Sequence, residues 1–195
     1  MPTKTFLNLD INKQQKLIKA AITEFSNNNY YDVSINKIIS NASIPRGSFY
    51  MYFKDKDDLF LYIIDEYNKK LNDIVKSMLI ENKGDLRNTF LKLYDKVVTL
   101  IFDNSYQDVL KNISIFYNMH SNLRKNFGHL LFLYIKEDIN SSSIKSCDLE
   151  FIFSMFIHNL FLSITECFKN ESNKEIKVQY LKKLDIICYG IYKED

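Results

Sequence analysis

Hydrophobic residues recur at intervals of three and four positions along most of the chain, which is the spacing that places them on one face of an α-helix. The first such stretch runs from about residue 10 to residue 28, with Leu17 and Phe25 on its apolar face. Residues 1–9 precede this pattern and are expected to form a loose arm. Three asparagines end the helix, and Asn29 is a candidate for a left-handed cap.

A helix–turn–helix pattern follows between residues 33 and 60. Ser34 is a suitable N-cap for a first short helix. Phe49 and Phe53 lie four residues apart and form the core face of a second short helix. Gly47 lies inside that second helix, where glycine costs about 1 kcal/mol relative to alanine. A glycine at this cost indicates that a side chain would collide with something there, such as a closely approaching nucleic-acid backbone.

Helical spacing then continues without a break from about residue 55 to residue 80, and one long helix is expected to connect the N-terminal module to the rest of the chain. Asn82–Asp85 is the clearest loop. Sustained period-2 alternation is absent, and only 4 Gly and 2 Pro occur. The sequence therefore predicts an all-α fold of about nine helices, the later ones at about 85–102, 106–119, 122–139, 148–169 and 174–192.

Residues 148–169 are apolar on nearly every side of the predicted helix. A membrane span is one interpretation, but Glu150, His158 and Glu166 would need masking in lipid. A helix buried on several sides is the preferred interpretation, and no membrane association is expected. In a chain of this size, a helix covered all round indicates a partner subunit.

Composition adds few constraints. The chain has 195 residues, 46% hydrophobic and 26% charged, which is ordinary for a globular protein of one or two domains. Its net charge of +2 does not mark a nucleic-acid binder, so any basic surface must be local. Cys147, Cys167 and Cys188 lack paired motif spacing and are expected to be reduced structural residues. The N-terminus lacks the apolar segment of a signal peptide, which favours a cytoplasmic location.

No arrangement of residues indicates catalysis. His120, His129 and His158 are far apart and have no metal-ligand spacing. A glycine-rich phosphate loop and a GxSxG motif are also missing from the sequence. We therefore predict no catalytic residue, no metal ligand and no cofactor, and we do not expect an enzyme.

The run from Ser34 to Phe60, including Ala42–Tyr50 and Tyr52–Leu59, resembles the signature of the tetracycline-repressor (TetR) family. This resemblance covers roughly residues 10–60. It implies a helix–turn–helix DNA-binding domain at 1–54 and a helical effector-binding and dimerisation domain at 55–195. Ser43 stands where the family usually has a turn glycine, and must tolerate the turn conformation.

The resemblance also implies the residues that contact DNA. Base-facing positions correspond to Arg46, Gly47 and Tyr50, with Asn36 or Lys37 reaching in from the preceding helix. Phosphate-contacting positions correspond to Ser34, Ser48, Tyr52 and Lys56. Periodicity alone leaves the alternative that the two tyrosines are half-buried and the lysines form a solvated face.

An effector pocket is expected between the C-terminal helices, where aromatic residues are frequent. Aromatic residues at helical spacing belong to a protein core more often than to a ligand site, so this alternative stays open. The candidate lining residues are Phe90, Tyr94, Phe116, His120, Phe127, Phe156 and Asn159.

The resulting functional hypothesis is a cytoplasmic, homodimeric transcription regulator. It would act as a repressor that leaves a palindromic DNA operator when a small hydrophobic or aromatic effector binds. The resemblance places the dimer contact on the last two helices, at about 148–169 and 174–192. The alternative is a helical protein-interaction or adaptor module that no longer binds DNA.

Overall fold

The computed structural model describes residues 2–102, 107–145, 148–169 and 173–191. These residues form ten α-helices and three short 3-10 turns, so the all-α prediction is confirmed. The helices are α1 (Lys4–Leu7), α2 (Ile11–Asn27), α3 (Ile35–Ala42), α4 (Arg46–Tyr52), α5 (Lys56–Glu81), α6 (Leu86–Phe102), α7 (Gln107–Met119), α8 (Ser121–Ile135), α9 (Leu149–Cys167) and α10 (Asn173–Ile191).

Two predictions about the N-terminal region were wrong. Residues 1–9 are not a loose arm, because Lys4–Leu7 form helix α1 with Thr3 as its N-cap. The phenyl ring of Phe6 is fully buried, which explains why this short segment is ordered. The end of α2 has no left-handed cap, since Asn28 and Asn29 both adopt extended backbone angles.

The contacts divide the chain into two compact units. The first unit contains residues 1–70 together with 105–113, and the second contains residues 71–104 and 114–195. Both the long helix α5 and helix α7 therefore contribute residues to each unit. The division into domains at residue 54 stays a prediction.

The first unit has an aromatic core. Phe25 of α2 stacks on Phe60 of α5 with ring centroids 4.2 Å apart. Phe49 and Phe53 are fully buried, as their spacing in α4 predicts. Burying rings of this size supplies most of the hydrophobic stabilisation of a small helical domain, and it fixes α3 and α4 against α2 and α5.

In the second unit, α9 contacts α6, α8 and α10. Its buried side chains include Phe153 and Phe156, which contact Phe90 of α6 with centroids 5.6 and 5.1 Å away. Among the described residues, α9 is the one helix long and apolar enough to cross a membrane by length and composition, a test that core helices also pass.

Two of the three cysteines can be placed. Cys167 and Cys188 are buried in α9 and α10, as a structural role requires. Burial raises the pKa of the Cys188 thiol to about 12, which keeps the thiol protonated at neutral pH. Cys147 lies outside the described residues.

Candidate nucleic-acid interface

The first helix of the helix–turn–helix, α3, begins at a well-defined cap. The Ser34 hydroxyl accepts a hydrogen bond from the backbone N–H of Lys37 at 3.4 Å. The Ser34 N–H donates to the carboxylate of Glu24 at 3.1 Å, and that carboxylate lies 4.0 Å from the ammonium of Lys37. Glu24 is only 5% exposed. A buried carboxylate from α2 therefore fixes the end of α3 that carries Asn36 and Lys37, both exposed.

The turn between α3 and α4 has the conformation that the sequence requires. Ser43 adopts the left-handed region with φ 56° and ψ 44°, so it does tolerate the turn conformation that usually selects glycine. The next residue, Ile44, donates its N–H to the carbonyl of Ile39 at 3.0 Å and closes the helix end. Pro45 then precedes the first residue of α4 with an extended backbone.

Helix α4 presents two different faces. Phe49 is fully buried, whereas Arg46, Gly47 and Tyr50 are exposed and Ser48 is half-buried. A Cβ atom added to Gly47 would meet no heavy atom of the described residues within 4 Å. No contact within the described part of the chain therefore requires glycine at this position.

Lys56 has a structural role that the sequence did not indicate. Its ammonium donates to the carbonyl oxygens of Tyr30 and Tyr31 at 2.8 and 3.3 Å. The same ammonium lies 4.9 Å from the centroid of the Tyr30 ring. An ammonium has three donors, so two carbonyl contacts leave Lys56 able to contact a phosphate as well.

The aspartates near the interface are directed at backbone amides. Asp55 accepts from the N–H of Asp58 at 2.8 Å, and Asp58 accepts from the N–H of Lys54 at 3.1 Å. Carboxylates at the N-terminal end of α5 also complement the helix dipole. The charge of these two carboxylates is thus partly compensated by the backbone amides that they bond.

Sequence reasoning missed three residues that hold this interface together. Thr3 and Phe6 contact α4 from the N-terminal segment, and Asn112 of α7 hydrogen-bonds the end of α2. Of these three residues, only Thr3 could have been recognised from the sequence, because threonine is a preferred N-cap. The partners of all three are distant in the sequence, and a helical pattern does not reveal such contacts.

The predicted effector-pocket residues are all placed in the second unit, and six of the seven are buried. Phe90 packs on Phe156, and Phe116 packs on His120 with ring centroids 4.4 Å apart. Tyr94 stacks on Tyr180 at 4.2 Å, and Asn159 donates to the backbone carbonyl of that tyrosine at 3.3 Å. The ring of Phe127 packs edge-on against Phe161, and His120 is the half-buried residue of the seven.

Two polar atoms of α9 are buried near these rings. The Asn159 Oδ1 and Ser163 Oγ atoms lack a hydrogen-bond partner among the described residues. These side chains lie one helical turn apart, on the same face of α9. Because an unpaired buried polar atom is costly, both atoms are candidates for contacting a ligand.

Comparison with known proteins supports the assignment of the helix–turn–helix. The family described as "Bacterial regulatory proteins, tetR family" matches residues 17–63. An uncharacterized HTH-type transcriptional regulator of Bacillus subtilis (strain 168) is 31% identical over 72 residues. That match covers 37% of this chain and 37% of the relative, so it spans little more than a third of either protein.

Solved structures share the fold over nearly the whole chain. A TetR-family transcriptional regulator from Pectobacterium atrosepticum has a TM-score of 0.69 at 15% identity, covering 96% of this chain and 99% of the other. The regulator FadR from Bacillus subtilis, solved in complex with stearoyl-CoA, has a TM-score of 0.55 at 16% identity, covering 91% and 99%. Residues 17–63, which contain the capped helix–turn–helix, thus match the tetR family of bacterial regulatory proteins, and the rest of the chain resembles the solved structures in fold.

Proposed function

We propose that this protein is a cytoplasmic, ligand-responsive transcription regulator that binds a palindromic DNA operator, and that it acts as a repressor. The observation that carries the proposal is Gly47. The residue lies on the exposed face of α4, costs helix stability, and has no neighbour among the residues that the structure describes that would require glycine. A duplex that approaches the backbone of α4 closely supplies the missing reason.

The exposed residues around Gly47 suit the two kinds of DNA contact. Arg46 lies at the first position of α4, and an arginine there can donate to the O6 and N7 atoms of guanine. Tyr50 and Lys37 are exposed near it on α4 and α3. Direct contacts to base edges would supply specificity, and the phosphate contacts would supply most of the affinity and its salt dependence. The phosphate set is Ser34, Ser48, Tyr52 and Lys56.

A homodimer formed through α9 and α10 is supported by their exposed apolar residues. Ile186 and Tyr189 of α10 are 73% and 81% exposed, and Val178 lies on the same side of that helix. Phe151 and Leu162 are exposed on α9. Exposed apolar patches of this kind mark protein interfaces. Two protomers would place their recognition helices in successive major grooves, about 34–36 Å apart.

The interior of the second unit supports a hydrophobic effector. Its buried aromatic side chains would suit an acyl chain or a flat ring, and FadR, a regulator of similar fold, was solved in complex with stearoyl-CoA. Asn159 and Ser163 would supply the polar contacts that orient a ligand in such a site. An effector that prefers the arrangement unable to bind DNA would release the operator, whereas equal affinity for both arrangements would shift nothing.

A mobility-shift assay on the DNA upstream of the protein's own coding region tests the proposal. We expect a shifted complex with two protomers on one palindromic site, resistant to competition by unrelated duplex. Acyl-CoA esters and free fatty acids would then be added to the complex to measure whether they release the DNA. Absence of binding to any duplex, even in dilute buffer, would favour an adaptor module and overturn the proposal.

Replacing Gly47 by alanine is expected to raise the stability of the fold and to lower the affinity for DNA. The free energy of unfolding should rise by up to about 1 kcal/mol, because alanine is the better helix former and its methyl group meets no atom within 4 Å in the described residues. Operator affinity should nevertheless fall, because that methyl group faces the duplex. Urea denaturation and a binding isotherm measure the two effects, and Gly128→Ala in α8, where an added Cβ atom would lie in ordinary contact 3.7 Å from Ile157, is the matched control. Unchanged operator affinity would contradict the role of Gly47.

Replacing Lys56 by alanine is expected to weaken binding to all duplex sequences alike. The slope of log K against log salt concentration should fall by about 1, the value for one lost phosphate contact. Titrations of a fluorescent duplex at a series of salt concentrations measure the slope. Lys19→Ala on the exposed side of α2 is the control. A slope equal to that of the control would leave Lys56 with only its contacts to the Tyr30 and Tyr31 carbonyls.

A further inference from the structure

The recognition helix α4 is only seven residues long. A helix of this length does not persist in water on its own, and the last carbonyl groups of any helix lack partners within it. The final carbonyls of α4 nevertheless have partners from outside the helix. The Thr3 hydroxyl donates to the carbonyl of Met51 at 2.6 Å, and the Thr3 N–H donates to the carbonyl of Tyr52 at 3.0 Å.

Thr3 is itself held in place by the short helix that it begins. Its hydroxyl oxygen accepts from the N–H of Phe6 at 3.3 Å, which is an N-cap of α1. The ring of Phe6 is fully buried and lies 4.8 Å from Phe53 and 5.4 Å from Tyr62, measured between centroids. The position of Thr3 is therefore fixed by packing against residues that immediately follow α4 and against α5.

The same segment also contacts a residue assigned to the DNA interface. Tyr52 receives the Thr3 N–H on its carbonyl, and its ring lies 6.1 Å from that of Phe6. Fraying of α4 from its C-terminal end would move Tyr52 first and then loosen the turn that carries Tyr50. The contacts from residues 3–6 oppose this fraying.

We propose that the segment Thr3–Leu7 caps the C-terminal end of the recognition helix from a distant part of the same chain, and that Thr3 and Phe6 are positioning residues for operator recognition. This inference rests on the proposed function, because it assigns the residues that keep the DNA-reading helix in shape. A cap that orders α4 matters most for contacts that depend on the exact placement of side chains, which are those to bases. Contacts to phosphates tolerate more displacement.

Thr3→Val tests the proposal with little change of volume. The variant loses the hydroxyl that donates to Met51 and caps α1, whereas its backbone N–H remains. Of the two hydrogen bonds lost, the one to the Met51 carbonyl acts directly on α4, and its loss predicts a fall in operator affinity of about 3- to 10-fold. Affinity for an unrelated duplex of equal length should change less than the operator affinity. Thr5→Val, on an exposed position of the same segment, is the matched control and should bind as the wild type does.

Hydrogen exchange of the α4 amides supplies a measurement that needs no DNA. We expect faster exchange of the amides near the end of α4 in Thr3→Val and in Phe6→Leu, at protein concentrations where circular dichroism shows full helicity. If Phe6→Leu fails to fold, Thr3→Val still decides the question, because Thr3 is exposed.

The outcomes separate the two proposals. A wild-type protein that binds no duplex overturns the proposed function, while the exchange of α4 amides still tests the cap. If the wild type binds its operator and Thr3→Val has the same operator affinity and the same exchange rates of the α4 amides, the cap proposal alone is overturned. A variant whose affinity falls equally for operator and unrelated duplex has lost fold stability rather than helix placement, and this result also overturns the positioning role.

Discussion

Replacing Asn112 by alanine is expected to lower the free energy of unfolding by about 2–4 kcal/mol, the range for removing a fully bonded buried amide. Asn112 is 1% exposed and uses both of its polar atoms. Its Nδ2 donates to the carbonyls of Phe25 and Asn28 at 2.6 and 2.9 Å. Its Oδ1 accepts from the N–H of Tyr30 at 2.9 Å. Alanine would leave these three backbone groups without their partner.

The position of these bonds explains why their loss matters. Helix α2 ends without a left-handed residue, so its last carbonyls are not satisfied by the usual cap. The Asn112 side chain bonds two carbonyls near this end and the N–H that opens the following turn. One amide from α7 therefore closes α2 and starts the segment that leads into the helix–turn–helix.

The effect of Asn112→Ala is expected to extend to DNA binding. Asn112 fixes Tyr30 by accepting a hydrogen bond from the Tyr30 N–H. The Tyr30 carbonyl accepts from the Lys56 ammonium, and the Tyr30 hydroxyl donates to Asp57 at 2.7 Å. Burial, followed by the hydrogen bond to Asp57, raises the pKa of the Tyr30 phenol and keeps it protonated as a donor. If Tyr30 were displaced, Lys56 would move with the carbonyl that it bonds, and the proposed contact of Lys56 with a DNA phosphate would weaken.

Urea denaturation and operator titration of Asn112→Ala measure the two effects. Asn118→Ala, an exposed residue on the same helix, is the matched control and should change the unfolding free energy by less than about 0.5 kcal/mol. In buffer without urea, where the variant is folded, its operator affinity should still be lower than that of the wild type. A variant as stable as the control would show that the three bonds at Asn112 contribute nothing net.

The parts of the fold that the sequence predicted correctly depend on local interactions. The N-cap of α3 at Ser34 and the buried face of Phe49 each follow from a few neighbouring residues, whereas the turn conformation at Ser43 was expected from the family resemblance. A residue preference at one position and an apolar spacing of four are sufficient to identify them. The helix–turn–helix was recognisable for this reason.

The errors concern contacts between distant parts of the chain. Phe6 belongs to a segment too short to show a helical period, and its partners Phe53 and Tyr62 are more than forty positions away. Asn29 was predicted to cap α2 because asparagine tolerates left-handed angles. The side chain of Asn112 bonds the end of that helix instead, and a single asparagine in an amphipathic helix gives no sign of such a partner.

The candidate interface could be predicted only in part for the same reason. The family resemblance implied DNA-contacting positions for Arg46 and Lys56, and these stay predictions; no pattern indicated that Lys56 also bonds two backbone carbonyls. The effector residues were more difficult still. Aromatic spacing is the same for a filled core and for a ligand site, so the assignment of Phe90 or Phe156 to a pocket stays a prediction.

Replacing Gly84 by alanine is expected to destabilise the second unit by about 2–5 kcal/mol, the sum of a left-handed backbone penalty and an overpacking penalty. Gly84 has φ +79°, and a Cβ atom there would lie 2.4 Å from the backbone nitrogen of Asn140 and 2.7 Å from the carbonyl oxygen of Asp138. Those atoms belong to the main chain, so they cannot move aside as a flexible side chain would.

The clash would break contacts on both sides of the glycine. The N–H of Gly84 donates to the carbonyl of Leu79 at 2.8 Å and ends α5. Its carbonyl accepts from the N–H of Asn140 at 3.1 Å and ties the loop before α6 to the turn after α8. Relieving the overlap by a shift of the loop would lengthen this second hydrogen bond. Both penalties therefore act on the same junction.

Thermal unfolding followed by circular dichroism measures the loss. A destabilisation of this size corresponds to a fall in Tm of roughly 5–20 °C for a chain of this length. Gly190→Ala makes the same chemical change in α10, where an added Cβ atom meets nothing within 4 Å of the described residues. That control should be neutral or up to about 1 kcal/mol more stable. If the two variants melt together, the loop at Gly84 can move without loss, and the close approach of Asn140 is not needed for stability.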